Sequence, residues 1–175
     1  MRVISGKYKD RKILVESKSH YRPTLTRVRE DIFNLLSHNN NLDINLNNII
    51  FCDLFAGTGS IGIEALSRGA KKVIFNDIEK DHINKIEKFI KNINEENYEL
   101  LNIDPYKQGI DFLNYCQIIY IDPPYDHSFE LIKNKILDKI NSNILIILEN
   151  DNLIELDNLI LKKKYKNKNL FFFRT

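Results

Sequence analysis

The stretch FCDLFAGTGSIGIEALSRGA, residues 51–70, runs from an apolar segment through a glycine turn into a helical period. Strand, tight turn and helix in that order make the first unit of an open α/β sheet. Gly57, Gly59 and Gly62 stand at the G-x-G-x-x-G spacing of a nucleotide-binding turn. Working outward, apolar runs rich in β-branched residues recur at 49–55, 72–76, 98–103, 117–121 and 144–148, with stretches of helical period near 60–69, 79–94, 108–114 and 128–140. This alternation predicts an α/β fold, a doubly wound, Rossmann-like, mostly parallel sheet with helices on both faces. The strands are almost continuously hydrophobic, as strands covered on both sides must be.

The ends depart from that pattern. RVIS and RKILV around GKYKD predict a basic β-hairpin at residues 2–15, and a helix is expected from Thr26 to Leu36, capped by Thr24 or Thr26. Towards the C-terminus LILKKKY and NLFFFR flank the turn-like KNK, which predicts a closing antiparallel hairpin. The asparagine-rich segment 39–48 reads as a loop. The chain is thus expected to divide into an N-terminal hairpin extension, residues 1–20, and a sheet domain, residues 21–175.

The 175 residues are 43% hydrophobic and 29% charged, which suits one globular core and excludes global disorder. No apolar run is long enough to cross a bilayer and nothing at the start reads as a signal peptide. Cys52 and Cys116 show neither a disulfide framework nor metal-ligand spacing, so a cytoplasmic protein with no metal is expected. Net charge is only +2, yet residues 1–29 carry nine basic side chains against two acids, and residues 162–175 carry six basic side chains and no acid. Basic ends around an acidic middle fit a protein that meets a polyanion on one face, with Lys7, Arg11 and Lys12 as candidate contacts.

The glycine turn by itself leaves its ligand open. A dinucleotide would put pyrophosphate over the turn, but Asp53, four residues before Gly57, brings a carboxylate to the same mouth. The sulfonium and ammonium of S-adenosyl-L-methionine are better matched to an acid there. Asp77, at the end of the second strand, is placed for the ribose hydroxyls of either ligand, although Asp77 or Glu79 can equally cap the next helix. Asp104, after the third strand, is placed for the adenine, and Asp-Pro is also ordinary turn chemistry.

The motif IYIDPPYD, residues 119–126, decides the chemistry. It follows the fourth strand, at the carboxyl edge where ligands of open sheets bind. The lone pair of an exocyclic amine on a base is delocalised into the ring. If Asp122 and the Pro123 carbonyl accept its two N–H bonds, the nitrogen can pyramidalise and aim that lone pair at a methyl group. Tyr125 offers a ring for an extruded base to stack on. Such a reaction is mainly positioning, with no metal or covalent intermediate needed.

With these motifs in hand, the chain resembles the RsmD family of bacterial small-subunit ribosomal RNA guanine-N2 methyltransferases along nearly its whole length. RVISGKYKDRKI at 2–13 is similar to the family's opening hairpin, and RPTLTRVREDIFNLL at 22–36 to its arginine-proline-threonine block and helix. Residues 51–70 resemble its cofactor loop and IDPPY at 121–125 its catalytic motif. The resemblance implies a class I methyltransferase fold and transfer of one methyl group from S-adenosyl-L-methionine to the N2 amine of a guanine in 16S ribosomal RNA, on an assembled or partly assembled particle, by a monomer. It implies Asp53, Gly57 and Gly59 around the methionine part of the cofactor, Asp77 at the ribose, Asp104 at the adenine, Asp122 and Tyr125 at the guanine, and Arg22 and Thr24 near the mouth. The chain departs from the family at Asp10 and in KKYKNKN, where glycines are usual.

Other readings remain on the sequence alone. A DNA adenine-N6 or cytosine-N4 methyltransferase shares the glycine loop and DPPY, but this chain has no room for a DNA-reading region. A protein glutamine methyltransferase would usually carry asparagine in place of Asp122. A dehydrogenase shares the glycine spacing. A catalytically inactive RNA-binding module would tolerate erosion of the acids, which are intact.

Overall fold

A computed structural model describes residues 1–13, 23–42, 44–107, 109–124, 126–156, 158–166 and 168–175, with side chains in the first helix from Thr26 onward. The sheet has seven strands: β1 (Ile50–Asp53), β2 (Lys72–Asn76), β3 (Tyr98–Leu101), β4 (Ile118–Ile121), β5 (Leu145–Asn150), β6 (Leu159–Lys164) and β7 (Asn169–Arg174). Their order is β3-β2-β1-β4-β5-β7-β6, parallel from β3 through β5, with β7 antiparallel to both β5 and β6. The expected doubly wound sheet and its closing hairpin are thus both present. Chain order reverses between β1 and β4, and this switch point opens a crevice at the carboxyl ends of the two strands.

Among the described residues four α-helices flank the sheet: α1 (Pro23–His38), α2 (Ser60–Ser67), α3 (Lys80–Asn92) and α4 (Phe129–Lys135). The strands β1, β4 and β5 bury nearly every residue, with alternate side chains feeding two cores. One, with Phe33, Phe51, Ile63 and Phe172, packs under α1, α2 and α3. The other, with Leu113, Ile119, Ile132 and Phe171, packs under α4.

Several elements differ from the sequence expectations. α1 begins at Pro23 rather than Thr26, so Thr24 and Thr26 lie inside the helix and do not cap it; proline suits a first helical turn because its missing N–H would be unbonded there anyway. The helix expected at 108–114 is a 3₁₀ turn, Asp111–Tyr115: Gly109 at φ +80° breaks the helical path just before so short a segment. The one at 128–140 is α4 followed by a second 3₁₀ turn, Leu137–Lys139.

Within residues 1–13 the expected hairpin is present: an antiparallel bridge joins Arg2 to Lys12, the Val3 and Ile13 amides donate to the Arg11 and Met1 carbonyls (3.0 and 2.9 Å), and its continuation at 14 and 15 lies outside the described residues. GKYKD, however, is not a free turn. The Lys7 amide donates to the Ser67 carbonyl (2.7 Å), the Tyr8 amide to Ser67 Oγ (2.9 Å), and Tyr8 is buried with its hydroxyl on Glu95 (2.5 Å). Gly6, at φ +85°, passes so close to α2 that a Cβ would lie 1.8 Å from the Ser67 carbonyl oxygen. Glu64 of α2, fully buried, accepts from the Ile4 and Ser5 amides (2.8 and 3.0 Å) and pairs with Arg68 (2.8 Å) and Arg29 (3.7 Å). The N-terminal ribbon is therefore fastened to the helix that follows the glycine turn.

Candidate active site

The switch point opens into a cavity of about 630 Å³, walled by the glycine turn, the ends of β1, β2 and β4, and the loops that follow β2, β3 and β4. Asp53, Gly57, Asp77, Asp104, Asp122 and Pro123 all line it, so side chains spread over seventy positions of sequence meet in one space. Tyr125 and Arg22 lie outside the described residues, as does the side chain of Thr24.

Each acid reaches the cavity by its own route. Asp53 ends β1 and is 1% exposed; its Oδ2 accepts the Gly62 amide at 2.9 Å, while its Oδ1 has no partner among the described residues. Burial, and then the carboxylates of Asp122, Asp77 and Glu149, push the Asp53 carboxyl up to about 8, against the help of the Gly62 amide. Gly57 at φ +52° and Gly59 at φ +70° make the turn, and a Cβ on Gly57 would meet nothing within 4 Å. A glycine there leaves open space beside the backbone, which is what close approach of a ligand needs.

Asp77 accepts the Gly57 amide on Oδ2 (2.7 Å) and the Glu79 amide on Oδ1 (2.8 Å), with His82 Nδ1 at 3.1 Å. Asp77 thus fixes the turn ahead of α3 while lining the cavity. Asp104 likewise accepts the Tyr106 amide (3.0 Å), the turn chemistry expected of Asp-Pro, and lines the cavity as well. Two asparagines set this floor. Asn76 donates to the Leu54 and Ile103 carbonyls and accepts the Ile103 amide, all at 3.1 Å, and Asn102 donates to the carbonyls of Asp77 and Ile78.

Asp122 follows β4 directly. One side of its carboxyl is open to the cavity, leaving the side chain 38% exposed, while protein encloses the rest. That enclosure, with the Glu149 carboxylate beside it, raises the carboxyl to about 7 against Lys168, whose Nζ lies 3.6 Å from Asp122 Oδ1. Glu149, from the end of β5, takes the Tyr120 hydroxyl on Oε1 and the Lys168 ammonium on Oε2. A recess of about 40 Å³ adjoins the main cavity between Asp122, Pro123, Glu149 and the loop after β5. Tyr106 closes the other flank: its hydroxyl meets His127 Nδ1 at 2.9 Å and its ring leans on Phe55.

The sequence reading did not single out Tyr120, Glu149, Lys168, Asn76, Asn102 or Tyr106. Glu149 alone left a usable signal, an acid ending an otherwise apolar strand, as Asp53 does. Of the basic residues, Lys7, Arg11 and Lys12 lie outside the cavity on the N-terminal ribbon, and Lys7 is 3.5 Å from Glu95. Lys163 pairs with Asp31 at 2.8 Å, and Lys168 is turned inward, 12% exposed. Those two charges serve internal partners rather than the outward basic surface expected of both chain ends. Among the described residues no cluster of side chains could hold a metal ion and no helix is long and apolar enough to cross a membrane.

Comparison with known proteins agrees with this architecture. Ribosomal RNA small subunit methyltransferase D of Haemophilus influenzae is 34% identical over 133 residues, 71% of this chain and 64% of that protein. The protein of the same name from Buchnera aphidicola subsp. Baizongia pistaciae is 30% identical over 98% of this chain and 89% of its own. Among solved structures, a proposed methyltransferase from Escherichia coli superposes with a TM-score of 0.80 at 24% identity, covering 99% of this chain and 97% of that one. An RNA methyltransferase from Salinibacter ruber in complex with S-adenosyl-L-homocysteine does so with a TM-score of 0.65 at 15% identity, covering 87% and 93%. The family described as Conserved hypothetical protein 95 matches residues 1–174, and with it the chain belongs to the RsmD family of ribosomal RNA methyltransferases.

Proposed function

We propose that the protein transfers a methyl group from S-adenosyl-L-methionine to the exocyclic N2 amine of a guanine in small-subunit ribosomal RNA. The observation that carries this reading is that Asp122 and Pro123 wall the same cavity as Asp53, Gly57 and Asp77. An amine acceptor and a cation-matched acid thus face one space. Relatives named for ribosomal RNA methylation support the substrate class, and a similar fold holding S-adenosyl-L-homocysteine supports the donor.

The residues present fit the donor. Asp53 keeps a buried oxygen unpartnered beside the glycine turn, and Gly57 leaves room where a side chain would stand. In this reading Asp53, Gly57 and Gly59 hold the methionine portion, Asp77 the ribose and Asp104 the adenine. When bound, the donor supplies an electrophilic methyl on a sulfonium and departs as a neutral thioether. Asp122 and the Pro123 carbonyl accept the two N–H bonds of the base, freeing the nitrogen lone pair to form the new N–C bond. Asp122 then receives the proton that the methylated nitrogen must lose. Tyr125 stacks on the base, with Arg22 and Thr24 at the mouth and Lys7, Arg11 and Lys12 on the RNA backbone. The substrate in this reading is an assembled or partly assembled particle, and the protein acts as a monomer in the cytoplasm.

Mass mapping of ribosomal RNA from cells lacking the protein tests the assignment: one guanine should lose a methyl group, and a full set of methyls would refute it. Asp122→Ala should bind the donor within about threefold of wild type by calorimetry while losing at least about a hundredfold in transfer of tritiated methyl, the scale of a lost acid–base group.

A further inference from the structure

We propose that Lys168 is a positioning residue for the transfer, an inference that rests on the role given to Asp122 above: its ammonium, set between Glu149 and Asp122, keeps Asp122 an open, ionised acceptor. The need for such a device follows from the topology. β4 and β5 are parallel neighbours, so each delivers an acid to the same edge, Asp122 just beyond β4 and Glu149 near the end of β5. Two carboxylates in a partly dry site tend to share one proton, and a protonated Asp122 would offer the amine one acceptor fewer.

Other charges make the tendency stronger. Asp53 from β1 and Asp77 from β2 line the same cavity, and Asp151, on the loop after β5, lines the adjoining recess. Tyr120 from β4 gives its hydroxyl to Glu149, and His127 lies on the loop after Asp122. Lys168 is the positive charge set against these. β7 runs antiparallel to β5 in the register Asn150 to Asn169, so the residue before β7 is brought to the active edge, against the direction of every parallel strand. With Tyr120 on one oxygen and Lys168 on the other, Glu149 is committed to the protein, and Asp122 is the more open of the two carboxylates.

The test is to follow the ¹³C resonance of the Asp122 carboxyl, assigned with Asp122→Asn, through a pH titration of the protein with no donor added. Lys168→Met should raise the Asp122 midpoint by about one unit or more, Lys168→Arg should leave it in place, and Glu149→Gln should lower it. The pH profile of single-turnover methyl transfer should move in step, so that Lys168→Met loses about tenfold near pH 6.5 and recovers towards pH 8.5. A midpoint unmoved in Lys168→Met overturns the proposal; if Lys168→Met does not fold, Lys168→Gln reads the same shift, and an unmoved midpoint there overturns it equally. A midpoint that moves while the transfer profile stays put would instead refute the role given to Asp122.

Discussion

Asp53 holds one oxygen on the Gly62 amide and keeps the other buried without a partner among the described residues. Its carboxyl, raised to about 8, keeps a proton in the folded protein that the unfolded chain releases near pH 4. The stability this group contributes is therefore complete below about pH 4 and is lost as pH rises towards 8. A cationic ligand works in the opposite direction, because it favours the ionised carboxylate. Binding of S-adenosyl-L-methionine should tighten by about tenfold between pH 6 and 8, and Asp53→Asn should flatten that dependence; calorimetry across the range checks both. Asp53, Asp122 and the glycines were legible in the sequence because each sits in a short motif whose chemistry is local. Glu149, Lys168 and Tyr120 were not, since their roles exist only once β4, β5 and β7 lie side by side. Asn76 and Asn102 were hidden differently: in an asparagine-rich chain, two that bridge backbone carbonyls look like all the others.

At the scale of elements, α2 carries a buried carboxylate, Glu64, that serves four donors. Glu64→Ala would strip two amides and two guanidinium groups of their shared acceptor, at a cost of about 3–5 kcal/mol. For a chain of this size that amounts to a fall of roughly 10 °C in melting temperature, measurable by calorimetry. The loops that follow β3 and β4 are joined by Tyr106 and His127 across one flank of the cavity. Tyr106→Phe should leave the fold intact and speed donor release by a few fold, read by stopped-flow displacement; an unchanged off-rate would mean that this contact does not restrain the ligand. Strand and helix positions in the middle of the chain were readable from period alone. The shortfall came where local backbone geometry won, at Gly109 against a helix.

For the molecule as a whole, the doubly wound, mostly parallel sheet was implied by the βα alternation, and the antiparallel finish by the KNK turn between apolar runs. The distribution of surface charge was less legible, because sequence counts a lysine without saying where it points. With Lys163 and Lys168 engaged internally, the outward basic charge rests more on the N-terminal ribbon. Neutralising Lys7, Lys9, Arg11 and Lys12 together should weaken binding to ribosomal RNA and reduce the slope of log affinity against log salt by up to about three. Filter binding at several salt concentrations checks this, and an unchanged slope would place the RNA contact elsewhere.

The eight residues of α2 have a mechanical consequence. Gly62 anchors Asp53 and, two positions on, Glu64 anchors the ribbon that carries those lysines, so both attachments load one stiff beam. In the proposed reading, a polynucleotide docking on the ribbon would load the same short helix that seats the Asp53 carboxylate.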